Sequence, residues 1–480
     1  MKGGGGLLGR YDTQKFGCGV MVKCLLFAMV VLSVLNPAVL PSSIFQSKWT
    51  INQPVSIEEE PNFGVSNSDH TKLALRLLAK TKSQNEDETP TTEIILNKSK
   101  LIYNSANPRY NICSIEGDIR IVSNASTIFI VSPTPLNPNT TTWKIKPYPR
   151  KWESYCMSSI TEMTIQQLTD ANQTRSCDVN HDLPAVVFST ARFTGNLFHD
   201  YTDMIYPLFL ATQRYNGEVK LVVEDYVSKC IEKYQPYLTR LSHYPIINID
   251  TGSRVHCFSS AQVGLENPGP LGYKFENPQN DQAMQQFRRF IRESLYLERS
   301  EVEKGKKPRL LVLIRKNTRL IINEDDVMNL AKDVGFEVVT ADEETTKDFP
   351  GIAHIVNSCD VLMGIHGAGL ANMLYLPANG TVLQITPFGN LKWVGRFDYG
   401  DPPRGFGFRY VEYEITLDES TLIEKYPRDH PWLRVRRKGN FANYIMFKVL
   451  ASWVGISQCM ASERTFVAAV ILFVAVFGFA

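Results

Sequence analysis

Val361-Leu362-Met363-Gly364-Ile365-His366-Gly367-Ala368-Gly369-Leu370-Ala371-Asn372 is the stretch on which the fold turns. An apolar, strand-like run ends in Gly-x-His-Gly-x-Gly and passes straight into a segment of helical composition. The first N–H groups of such a helix lack intrahelical partners and carry partial positive charge, so an anionic phosphate fits beyond the carboxyl end of the strand. The spacing is not the dinucleotide fingerprint GxGxxG, and Glu337-Val338-Val339-Thr340 supplies no acid placed for a ribose. Two glycines can also do no more than let a strand turn tightly. The neighbouring segments therefore decide the reading.

Upstream, 310–314 reads as a strand, Asn323 as the cap of a helix over 324–333, Gly335 as its stop, and 336–339 as the next strand. A helix near 352–358, the strand 361–365, a helix from about Ala368 and a strand at 382–385 follow. Strands and helices alternating at this spacing make a doubly wound parallel sheet, whose ligands bind at the carboxyl edge. Arg315-Lys316-Asn317-Thr318-Arg319 places cations at that same edge. Two arginines there can hold a diphosphate through bidentate contacts. The competing reading is a solvated loop pairing with Glu324 or Asp325. The chain contains no Asp-x-Asp, so no carboxylate-held metal and no other cofactor is expected.

The first half has its own strands at 119–122, 128–131, 185–188 and 219–223, with helical stretches at 201–213 and 281–298. Lys304-Gly305-Lys306-Lys307-Pro308 breaks the chain between the two halves, which suggests a cleft between two α/β units. In the first, His199 and Asp203 stand four apart and share a face if the stretch 195–209 is a helix. Either could remove a proton from an acceptor hydroxyl; a structural cap pair is the plainer alternative.

The 480 residues suffice for more than one packed unit, and 44% hydrophobic with 21% charged residues describes a globular protein. Lys and Arg number 51 against 49 Asp and Glu, a net +2, so nucleic acid is not an expected partner. The nine cysteines form no CxxC and no zinc-spaced cluster with histidine.

Residues 17–35 are apolar apart from Lys23 and 36–40 prolong the run, so 17–40 reads as a membrane anchor, with Lys2, Arg10 and Lys15 on the amino-terminal side against Asp12. That charge bias predicts a type II topology: cytoplasmic tail 1–16, anchor 17–40, flexible polar stem 41–110 and a lumenal body. A cleaved signal peptide is the alternative. Asn97, Asn124, Asn139, Asn172 and Asn379 begin glycosylation sequons, in keeping with a lumenal body. An oxidising lumen predicts that some of the seven cysteines after the anchor pair, while Cys359, within an apolar stretch, reads as a buried thiol.

Taken together, the ordered series Gly117-Asp118-Ile119-Arg120, Asn196-x-x-His199-x-x-x-Asp203-x-x-x-Pro207-Leu208-Phe209, His256-Cys257-Phe258, Arg315-x-x-x-Arg319-x-x-x-Asn323-Glu324 and His366-Gly367-Ala368 resembles plant glycosyltransferase family 61, the group of xylan arabinosyltransferases and xylosyltransferases. The resemblance runs from about Cys113 to Arg434. It implies a GT-B type α/β fold: two Rossmann-like domains facing a cleft, an acceptor-side one at 111–300 and a nucleotide-sugar-binding one at 301–434, with 435–480 as an atypical tail ending in an apolar run. Carried over, Arg315, Arg319 and His366 contact the donor diphosphate, Gly367 and Ala368 offer N–H groups, and Asn323 and Glu324 support the donor side. Asp203 is the first choice for the acceptor's base and His199 the alternative. The implied reaction is inverting transfer of a pentose, first of all 1,3-linked arabinofuranose, from a UDP-pentose donor to a xylan acceptor. A β-1,2-xylosyltransferase acting on xylan or an N-glycan core is the alternative, and a non-catalytic lumenal partner is the alternative of another class. The Golgi membrane is the implied location, and a complex with other Golgi transferases the implied assembly.

Overall fold

The computed structural model describes residues 99–430 except 192, 270–277 and 390, together with Leu433; for 278–280 it describes backbone alone. The expected tail 1–16, anchor 17–40, most of the stem, Asn97 and the tail 435–480 lie outside the described residues. Among those described, no helix is long and apolar enough to cross a membrane.

Two sheets carry the fold. The first has ten strands: β1 (Lys100–Asn104), β2 (Ile112–Val122), β3 (Thr127–Val131), β4 (Thr142–Ile145), β5 (Met163–Leu168), β6 (Val179–His181), β7 (Ala185–Ser189), β8 (Lys220–Glu224), β9 (Ile247–Asn248) and β10 (Val255–Val263). Its main order is β4-β5-β3-β2-β10-β7-β8-β9. The run β10-β7-β8-β9 is parallel, as are the pairs β3–β5 and β6–β10, whereas β2 lies antiparallel to β1, β3 and β10, and β4 to β5. The first half is therefore mixed, Rossmann-like on one side and meander-like on the other. The difference follows from connection length, since short turns such as that between β2 and β3 permit only antiparallel neighbours. β1 falls inside the stretch read as stem, and Leu101 and Tyr103 pack on the core beneath this sheet.

The second sheet is the expected parallel one: β11 (Arg309–Leu313), β12 (Glu337–Ala341), β13 (Val361–Ile365), β14 (Thr381–Thr386) and β15 (Arg409–Glu414), in the order β12-β11-β13-β14-β15. All its pairings are parallel. β13 and β14 are buried along their whole length, as a sheet covered on both faces requires. Glu324–Asp333 forms the expected helix, and Gly335, at φ +105°, ends it. Asn323 stands at the cap position, but its side chain accepts no bond from the helix, and its Oδ1 is buried without a partner among the described residues.

One apolar core runs through both halves, from Phe188 and Val223 to Leu311 and Leu362. At its centre the buried Tyr201 hydroxyl bonds to Tyr237 at 2.8 Å and to Tyr375 at 2.6 Å, joining residues 174 apart in sequence. Cys177 and Cys257 form a disulfide that ties the segment before β6 to β10, while Cys359 is a buried free thiol.

The disulfide closes a loop of 80 residues, so its loss frees a long segment of the unfolded chain. Cys177→Ser is expected to lower stability by about 2–5 kcal/mol, read as a fall in thermal midpoint; an unchanged midpoint would show that the bond contributes nothing.

Candidate functional site

In the second sheet the chain leaves β11 toward β12 on one side and β13 toward β14 on the other. The carboxyl ends of the adjacent β11 and β13 thus flank the switch point, where open α/β sheets leave a crevice. The loop after β11 carries Arg315 and Arg319, and the turn after β13 carries His366 and Gly367. Arg319 Nη1 donates to the His366 carbonyl at 2.5 Å, and Arg315 Nε donates to the Thr318 carbonyl at 2.8 Å. A Cβ placed on Gly367 would lie 2.8 Å from Arg315 Nη1 and 3.2 Å from Arg319 Nη2. Both guanidinium heads therefore lie against this turn, and glycine makes room for them. Arg319 adopts φ +57°, a left-handed backbone that costs an ordinary side chain about 1 kcal/mol or more and here turns the side chain toward β13.

The rest of the loop is anchored on its outer side, Lys316 to Asp342 at 2.6 Å and Asn317 to Glu343 at 3.0 Å. The alternative pairing with Glu324 or Asp325 is not what holds it. Burial lowers the Arg315 pKa, with Glu343 and Tyr399 opposing. Asn323 and Glu324 start the following helix, and neither hydrogen-bonds to Arg315.

After Gly367 the chain winds as a tight 3-10 helix, Ala368–Tyr375, where sequence reading expected a helix of unspecified type. Asn372 Nδ2 donates to the Gly369 carbonyl at 2.8 Å, one side chain competing for an α-helical acceptor. The buried His366 ring faces Gln384 at 3.4 Å through Nδ1, Asp398 at 3.9 Å through Nε2, and the edge of Tyr399.

On the first sheet, the chain beyond the carboxyl end of β7 enters a helix over 197–212, with the Asn196 side chain accepting from His199 N. Over Asp200–Ile205 it widens to i→i+5 bonding, Tyr206 N donating to Tyr201 O. Pro207 has no N–H for the carbonyl of Asp203, which explains why the regular ladder fails there. Asp203 is fully buried. Its carboxylate accepts from Tyr148 OH at 3.2 Å, Arg150 Nη1 at 3.0 Å, His199 Nδ1 at 2.9 Å and Asn267 Nδ2 at 3.3 Å. Four donors occupy the roughly four lone-pair sites that a carboxylate offers. Burial alone would raise this pKa, but Arg150 and then His199 outweigh it and hold the carboxyl below its ordinary value. Such a group is a poor proton acceptor and a good positioning group. His199 stacks on Phe193 with centroids 4.3 Å apart, and its Nδ1 lies 2.9 Å from Asp203 and 3.0 Å from Arg150 Nη1; in the tautomer with its proton on Nδ1, Nε2 is the lone-pair nitrogen.

The two halves meet at this point. The turn Leu197–His199 packs against Ala368–Tyr375, and Phe198 lies edge-on to both His199 and Tyr399, each at 5.4 Å. Tyr399 in turn touches His366 at 5.6 Å. The arginine turn and the histidine–aspartate pair are thus two rings apart.

The glycosyltransferase 61 family pattern matches residues 266–383. The chain is 41% identical over 337 residues to the alpha-1,3-arabinosyltransferase XAT3 of Oryza sativa subsp. japonica, covering 69% of this chain and 58% of that relative. It is 38% identical over 343 residues to the rice beta-1,2-xylosyltransferase XYXT1, covering 67% and 73% of the two chains. The chain belongs to the glycosyltransferase 61 family. A third member, the xylan glycosyltransferase MUCI21 of Arabidopsis thaliana, is 33% identical over 345 residues, 68% of this chain and 70% of that one. The chain spans less than two thirds of the length of XAT3.

The family pattern covers Arg315, Arg319, Asn323, Glu324, His366, Gly367 and Ala368, but not His199 or Asp203. Sequence reading missed Tyr148, Arg150, Asn267 and Tyr399 altogether. Arg150 lies in Pro149-Arg150-Lys151-Trp152, outside any regular element, and a lone arginine between aromatic residues carries no periodic signal. Of the sequon asparagines, Asn124, Asn139, Asn172 and Asn379 are exposed. Among the described residues, Asp118, Cys177 and Cys257 come close enough to hold an ion, and the two sulfurs are already bonded to each other.

Asp203→Asn removes the charge that compensates Arg150, a pair whose side chains are 0% and 13% exposed, and is expected to destabilise the fold by about 3 kcal/mol at neutral pH. Because the folded pKa of Asp203 is depressed, its contribution is present above the unfolded value and lost as the pH falls below about 4. The gap between the denaturation midpoints of wild type and Asp203→Asn should therefore narrow below about pH 4; a gap independent of pH would show that the charge is not what stabilises.

Proposed function

We propose that this chain is a lumenal, Golgi-anchored pentosyltransferase that moves arabinofuranose from a UDP-sugar to a 1,3-linked position on the xylan backbone with inversion. The observation that carries the reading is the convergence at one place of the Arg315/Arg319 loop, the His366–Gly367 turn and the His199–Asp203 pair. The names of the rice arabinosyltransferases favour arabinose, and those of the rice xylosyltransferases support β-1,2-xylosyl transfer as the second reading. On this proposal the two sheets act as the halves of a GT-B cleft. The mixed first sheet carries the acceptor side and the parallel second sheet the donor.

The roles follow from the chemistry. Arg315 and Arg319 neutralise the diphosphate by bidentate contacts and stabilise the departing UDP electrostatically. His366 and the backbone of Gly367 and Ala368 complete that cradle, with Asn323 and Glu324 at its margin. His199 takes the acceptor proton through Nε2 as the hydroxyl oxygen attacks the anomeric carbon from the face opposite the departing diphosphate, while Asp203 orients the ring and balances the imidazolium that forms. Asp203, first choice on sequence, becomes the positioning residue because its lone pairs are engaged. The anchor at 17–40, the sequon glycans and association with other Golgi transferases belong to the same proposal.

The test is a UDP-pentose screen on xylo-oligosaccharides with purified protein. Arg315→Ala should weaken UDP binding about tenfold to a hundredfold. His199→Gln should lower transfer about 10²–10⁴-fold with UDP affinity retained. A larger chemical loss in Asp203→Asn than in His199→Gln, both folded and at saturating donor, would reverse the two roles.

The arginines and the helix start do the work of a cation at the diphosphate, so EDTA should leave transfer intact. Loss of activity with chelator that manganese restores would refute this.

A further inference from the structure

The helix Pro278–Ser294 carries a second basic face, away from the candidate site. Arg288, Arg289 and Arg292, with Arg240 beside them, line a recess of about 780 Å³. Arg288 is only 8% exposed, its guanidinium lies 5.1 Å over the Phe408 ring, and its Nη2 donates to the Leu376 carbonyl at 2.9 Å. Arg292 Nη2 donates to the Leu297 carbonyl at 2.8 Å. Yet Arg288 Nε and Arg292 Nη1 are both buried with no hydrogen-bond partner among the described residues. None of Arg288, Arg289 and Arg292 forms an ion pair among the described residues. Of the two carboxylates at the recess, Glu293 is held by Arg240 at 2.7 Å and Glu301 is exposed. Burial, and after it the neighbouring charge of Arg292, pushes the Arg288 pKa down to about 10.

Desolvated guanidinium groups with unfilled donors and no counter-charge are costly unless something supplies the acceptors. We propose that this recess binds a small oxyanion, a phosphate or a sugar carboxylate, between Arg288 and Arg292 with Arg289 at the rim. The site is distinct from the donor turn. Leu376 and Ala378 precede the amino end of β14, whereas His366 follows the carboxyl end of β13, and in a parallel sheet these are opposite edges.

The test is calorimetric titration of the full chain with inorganic phosphate and, separately, with glucuronate, each with and without UDP. Saturable binding of one or both, unaffected by UDP, is expected; the tighter of the two identifies the source of the anion. Arg292→Gln should weaken that binding about tenfold or more, and Arg289→Glu, a reversal at an exposed side chain, should do the same without touching the core. Because Arg292 also holds a backbone carbonyl, Arg289→Glu decides the matter if Arg292→Gln does not fold. No saturable binding of either anion, binding abolished by UDP, or binding undiminished in a folded variant overturns the proposal.

Discussion

A single buried hydroxyl holds the candidate site together. Tyr201, in the helix beyond β7, bonds to Tyr237 and across to Tyr375, the last residue of the 3-10 helix that follows Gly367. All three side chains are fully buried, so each hydroxyl must find its partner within the protein or cost the fold a desolvated polar group. That requirement fixes the register of 197–212 against Ala368–Tyr375, and with it the position of His199 relative to the arginine turn. Around the hydroxyls, Phe287, Tyr234 and Tyr375 meet Tyr201 edge to face, leaving little freedom to slide.

The two charged clusters solve opposite problems. Around Asp203 every partner is internal: Arg150 supplies the counter-charge, and Tyr148, His199 and Asn267 fill the remaining acceptor positions. Those four donors all come from within the protein. Around Gly367 two cations crowd one turn, with Arg319 turned inward on a strained backbone. Both guanidinium heads lie against that glycine, where any side chain on residue 367 would meet them.

Much of this was legible in the sequence. Hydrophobic runs with Gly and Pro punctuation located β7, β8, β11, β12, β13 and β14, and the helix over 324–333 has the expected bounds. The i, i+4 spacing of His199 and Asp203 foretold their contact, although the widening of the helix between them comes from Pro207, whose effect inside a helix is visible only once the helix is known to continue. Asn323 shows the limit of local rules: it has the right side chain in the right place, and tertiary packing leaves its oxygen unused. The antiparallel part of the first sheet, and the entry of 100–104 into it, escaped because short alternating strands specify no partner until register and burial are settled.

By itself, then, the sequence determined the elements whose signals are local: which segments are strands, where glycine lets a strand turn, and that Arg315, Arg319 and His366 lie at strand ends. Which of those ends meet was decided by the tertiary structure alone. The order β12-β11-β13 places the arginine loop beside the histidine turn, and the Tyr201–Tyr375 bond brings His199 to both. The surroundings of Asp203 were decided there too. A carboxylate's basicity depends on how many donors surround it and how little water reaches it, and Arg150 arrives from 53 residues away.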